Sequence, residues 1–84
     1  MRFYRNIQGI WIAGADLSVS QKDCWDRYGL IGHATSFDTP ITFDEIVTDV
    51  NKYCDQEEEP RIPEAEIALG LIRLVEQDLV GIRL

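Results

Sequence analysis

This chain of 84 residues holds two cysteines, one histidine, and eight lysines and arginines against fifteen aspartates and glutamates. Cys24 and Cys54 have no second cysteine or histidine nearby at ligand spacing, which argues against a thiolate metal site. Both stand at apolar positions of helical patterns, so two buried reduced thiols are expected. A disulfide between them would need touching helices and an oxidising compartment, and nothing in the sequence indicates such a compartment. The lone His33 lies in a glycine-flanked stretch without an orienting acid, so a Cys–His nucleophilic pair has no support. Gly9, Gly14, Gly29 and Gly32 make no phosphate-binding fingerprint. Asp55, Glu57, Glu58 and Glu59 lack the alternation and central glycine of a calcium loop, and read as a solvated loop. No catalytic residue, metal or cofactor is expected.

A long hydrophobic run is also missing. The apolar stretch Ile7–Ala15 is closed by Asp16 and is far short of the ~20 residues that span a bilayer. It has the look of a signal-peptide core with Ala13-Gly14-Ala15 near a cleavage point, but its removal would leave too short a chain, so a cytoplasmic protein is expected. A chain of this length supports a single core. Its hydrophobic fraction of 45% and charged fraction of 27% suit an ordinary globular domain.

Patterning supplies the elements. Arg2–Ala13 is rich in strand formers, either as a hairpin turning at Asn6-Ile7-Gln8-Gly9 or as one longer strand. Ile10-Trp11-Ile12-Ala13 is apolar on both faces, which implies cover on both sides or an interface. Ser18 with Gln21, or Ser20 with Asp23, caps a helix carrying Cys24, Trp25, Tyr28 and Ile31 on one face. Gly29 and Gly32 end it near Tyr28 or weaken it as far as Ala34. Thr42 with Glu45 forms a capping box, and Ile41 with Ile46 a hydrophobic staple. Behind them Phe43, Ile46, Val47, Val50 and Cys54 make one apolar stripe, with Asn51 among the residues facing away. Asp55–Pro63 reads as an acidic loop. A third helix follows to about Leu79, with Ile67, Ala68, Leu71, Ile72, Leu74, Val75 and Leu79 on its apolar arc and Glu66, Gly70, Arg73, Glu76 and Gln77 opposite. Leu69 stands out of place among those polar positions. Val80–Leu84 is a short strand.

The run Ile41-Thr42-Phe43-Asp44-Glu45-Ile46-Val47, followed by Ile72-Arg73-Leu74-Val75-Glu76-Gln77-Asp78-Leu79-Val80, resembles the second and third helices of bacterial winged helix-turn-helix domains over about residues 23–84. The resemblance implies a winged-helix-like α+β fold of three helices. It departs from that family in its long acidic connection and in having a single strand after the third helix. The N-terminal segment is therefore expected to pair with the C-terminal strand in a small antiparallel sheet, shielding an edge.

The resemblance also makes DNA binding the first function to weigh, and charge opposes it. Met1–Thr42 carries four basic and four acidic residues, whereas Phe43–Leu84 carries four basic and eleven acidic ones, and the total is −7. Duplex affinity comes largely from Lys and Arg at phosphates, yet the outer side of the third helix offers only Arg73 beside Glu66 and Glu76. A divergent transcriptional regulator, with a basic patch assembled from Arg2, Arg5, Lys22 and Arg27 on dimerisation, is the alternative. The expected function is that of a small acidic protein-interaction module: an accessory regulator, inhibitor or immunity-type protein. Trp11, Ala13, Glu66, Leu69 and Arg73 form its candidate interface. Its partner is a protein, basic if charge steers the encounter, and the N-terminal strand offers a route to a homodimer.

Overall fold

The structure, a computed structural model, describes residues 1–6 and 17–84. The expected hairpin and the two-faced strand containing Trp11 and Ala13 fall largely or wholly on residues 7–16 and lie outside the described residues. The elements are β1 (Arg2–Arg5), α1 (Val19–Ala34), α2 (Phe43–Gln56), α3 (Glu64–Glu76) and β2 (Val80–Arg83). β1 and β2 pair antiparallel, with Arg2 opposite Arg83, Phe3 opposite Ile82, Tyr4 opposite Gly81 and Arg5 opposite Val80. The fold is α+β, three helices with a small sheet that joins the N-terminal and C-terminal strands, as the sequence predicts.

Strand alternation puts Phe3, Arg5, Val80 and Ile82 on one face of the sheet and Arg2, Tyr4, Gly81 and Arg83 on the other. Phe3 and Val80 are buried in the core together with Ile46, Val50, Ile67, Leu71, Leu74 and Leu79. The second edge of β1 is also occupied. The Phe3 N–H donates to the Ile41 carbonyl at 2.7 Å, the Ile41 N–H donates back at 3.0 Å, and the Arg5 N–H donates to the Ser36 carbonyl at 2.8 Å. The stretch leading into α2 thus lies along β1 opposite β2.

Both capping boxes form. Thr42 accepts from the Glu45 N–H at the start of α2, and Ser18, not Ser20, accepts from the Gln21 N–H at the start of α1. The Gln21 amide also donates to the Gln77 carbonyl at 2.9 Å, fastening the start of α1 to the end of α3. α1 reaches Ala34, with a non-helical Tyr28 (φ −117°, ψ 17°) marking a kink where the sequence offered an early end. Gly32 serves packing: a Cβ there would stand 2.3 Å from the Trp25 ring.

Two placements on α3 correct the periodic reading. Gly70, assigned to the polar side, is buried, because α1 crosses there and a Cβ would stand 2.4 Å from Ile31 Cδ1 and 2.8 Å from Tyr28 Cδ1. Ile72, assigned to the apolar arc, is 56% exposed. α1 draws the buried side of α3 towards Ile67, Gly70, Leu71 and Leu74 and leaves Ile72 at the margin. The helix also ends at Glu76, short of Leu79.

α2 and α3 end alike. The Glu59 N–H donates to the Cys54 carbonyl and the Glu58 N–H to the Asp55 carbonyl, while the Leu79 N–H donates to the Leu74 carbonyl and the Asp78 N–H to the Val75 carbonyl. Both are Schellman closures, with an acid instead of glycine in the left-handed position: Glu58 (φ 56°) and Asp78 (φ 59°). Asn51, expected to face away, instead braces the connection to α3: its side-chain oxygen accepts from the Ile62 N–H at 2.9 Å and its amide donates to the Ile62 carbonyl at 3.4 Å.

Glu58→Gly is expected to raise stability by about 1 kcal/mol, because a left-handed side chain costs ~1–2 kcal/mol and glycine returns part of that gain as unfolded-state entropy. Gly70→Ala is expected to lower it by ~1–3 kcal/mol through overpacking. Urea unfolding midpoints measure both.

Candidate protein-contact surface

α3 is apolar around most of its circumference, so burying one side leaves a second apolar surface outside. Leu69 is 46% exposed, opening beside Glu66 onto a shallow groove of about 230 Å³ walled by Arg27, Tyr28, Leu30 and Ile62. Arg73, one turn on, borders the adjoining groove with Cys24, Arg27 and Glu76. Glu66, Leu69 and Arg73, proposed together from the sequence, therefore do share the α1-facing flank of α3. Trp11 and Ala13, proposed with them, lie outside the described residues.

The sheet-facing flank of α3 is more apolar. There Ile72 and Val75 meet Met1, Phe43 and Ile82 around a groove of about 510 Å³. Met1 is 69% exposed and Ile82 42%. Sequence reasoning missed these residues because it placed Ile72 in the core. The alternation Val80, Ile82, Leu84 carried the missed signal: an apolar strand stripe running past the last residue the core covers.

Several of the cations are engaged. Arg73 donates to Glu76 at 3.0 Å, and Arg2 pairs with Glu45 at 3.5 Å. Arg61 binds Asp55 through two hydrogen bonds of 3.0 and 2.6 Å. Such exposed pairs contribute little to stability, but they occupy cations. Of the four residues suggested for a basic patch, Arg2 is thus paired with Glu45. Arg5 donates to the Thr35 carbonyl at 2.6 Å and the His33 carbonyl at 3.3 Å, at the end of α1. There its charge also suits the negative end of the helix dipole. Burial pulls the Arg5 guanidinium below its usual pKa.

The thiols are both free; Cys54 is buried and Cys24 half-buried. Burial pushes the Cys24 thiol up, and Glu76 adds to this while Arg73 and Arg27 oppose it. A raised pKa keeps the nucleophilic thiolate scarce at neutral pH. His33 lies edge-on to Trp25 with ring centroids 5.1 Å apart, and burial, then the charge of Arg5, lowers its pKa. Among the described residues, no group of three or more His, Cys, Asp or Glu side chains is placed to hold a metal, and no helix is long and apolar enough to cross a membrane.

Compared with known proteins, the chain matches no family model, no curated protein and no solved structure. The fold and surface define an acidic α+β domain with apolar ground on both flanks of its third helix.

Stability is expected to fall in two stages as pH drops. His33, lowered in the fold, binds its proton more readily when unfolded, so loss begins as pH falls below its ordinary 6.5. Glu45, held down first by its hydrogen bonds with Thr42, and Asp55, held down by Arg61, add further loss below 4.5 and 3.8. Melting midpoints against pH should show both stages, and His33→Gln should flatten the first alone.

Proposed function

We propose that this is a winged-helix-like domain that acts through protein contacts, as an accessory regulator, inhibitor or immunity-type protein without a catalytic step. The supporting observation is the outward face of α3, the face a DNA reader would present. It carries exposed Leu69 and Ile72, and its one cation, Arg73, is spent on Glu76. A duplex needs cations there to displace counterions, whereas exposed apolar side chains at helical spacing suit a protein groove or helix. β1 pairs with β2 where a second wing strand would lie. The net charge of −7 steers the domain towards a basic protein and away from nucleic acid. The α1-facing flank, with Glu66, Leu69 and Arg73, is the docking ground for that partner.

Titration against duplex DNA at low salt is expected to show no tight binding, and tight, salt-sensitive binding would overturn this reading. Leu69→Asp is expected to weaken capture of the partner from source cells by about tenfold or more, the scale of an interface anchor. Its thermal midpoint should stay within a few degrees of the parent, since Leu69 lies half outside the core.

A further inference from the structure

β2 has one edge on β1 and a second edge that the described residues leave open. Phe3 turns its N–H and carbonyl to Ile41, so its opposite number Ile82 forms a non-hydrogen-bonded pair with it. The Ile82 N–H and carbonyl therefore point away from β1, and they have no backbone partner among the described residues. The same strand carries an apolar stripe that outruns its cover: Val80 is buried, Ile82 is 42% exposed and Leu84 99%. Ile72 of α3 and Met1 extend this stripe into a continuous apolar surface.

We propose that this edge pairs with β2 of a second copy of the chain, antiparallel about a twofold axis at Ile82, to make a four-stranded sheet across a homodimer. The edge is self-complementary in that register. Ile82 exchanges both hydrogen bonds with Ile82 of the second copy, as hydrogen-bonded antiparallel pairs do. Val80 stands opposite Leu84, so the uncovered end of each stripe lies over the covered end of the other. Arg83 meets Gly81, the smallest side chain, and is kept from Arg83 of the second copy.

No acidic residue lies within either strand: the charged residues of β1 and β2 are Arg2, Arg5 and Arg83. The acids nearest β2 in the chain are Asp78, in the turn before it, and Glu76, at the border of the apolar groove. Two chains of −7 still repel at long range, so added salt strengthens the dimer. A basic partner on the Leu69 flank responds to salt in the opposite sense. The dimer goes beyond the protein-contact reading and stands or falls separately, because it leaves Leu69 outside the interface.

Sedimentation velocity across a concentration series tests it. The expected result is a shift from 9.6 kDa to twice that mass, strengthening as salt rises from about 20 to 150 mM. Ile82→Pro removes an N–H that the β1–β2 ladder does not use, a place where an edge strand accepts proline. It is expected to weaken the dimer by about tenfold or more, as is Ile72→Lys, which puts a charge into the apolar surface. Hydrogen exchange on the unaltered chain keeps the test independent of how the variants fold: the Ile82 amide should be protected in concentrated and exposed in dilute samples. A chain that stays monomeric up to about 1 mM overturns the proposal, and so does a dimer whose Ile82 amide exchanges freely.

Discussion

The fold hangs on Phe3. Its backbone is bonded at one edge to Ile41, beside the capping box that starts α2. Across the other edge it faces Ile82 at the far end of the chain, and its side chain is buried against the helical layer. One residue thus joins the N-terminal strand, the entry to α2 and the C-terminal strand. Two-stranded pairings are marginal in water alone; this one persists because it packs on a helical layer and carries an extra backbone segment on its far side. Arg5 extends the same strand's reach by bonding carbonyls at the end of α1.

That arrangement determines what remains available outside. With Ile41 and Ser36 on one side of β1 and β2 on the other, β1 has no open edge over Phe3–Arg5, and the edge that the described residues leave open is that of β2. With α1 drawn close at Gly70, α3 commits one side to the core and turns Leu69 and Ile72 outward. Of the cations nearby, Arg73, Arg2 and Arg5 are tied to Glu76, Glu45 and the carbonyls of α1, while Arg27 borders both grooves of the α1-facing flank. The net charge is acidic, while both flanks of α3 keep apolar side chains outside.

The helices were legible because their signals are local. Thr42 with Glu45 announces the start of α2 through side chains only three residues from the groups they bind; for α1 the same signal left Ser18 with Gln21 and Ser20 with Asp23 both open, and the structure takes the first. The pairing of the chain ends was legible from the strand formers at both termini, and the stripe Ile46, Val50, Cys54 from its period. The candidate surface was legible only in part. Leu69 broke the polar pattern and could be seen, whereas Ile72 fitted the apolar arc and was assigned to the core. Periodicity gives the direction of a side chain about its own helix axis; it does not say where the neighbouring helix lies. Asn51 and Gly70 were misread for the same reason, since the partners that define them, Ile62 and Ile31, come from elsewhere in the chain.

By itself the sequence determined the number of the helices, the start of α2, the α+β class and the acidic character, because capping, period and charge are properties of neighbouring residues. Only the tertiary structure decided which side of α3 is buried, which edge of the sheet the described residues leave open and which cations among them are already engaged. These depend on residues far apart in the chain, such as Phe3 with Ile41 and Ile82, and on the one crossing that Gly70 permits.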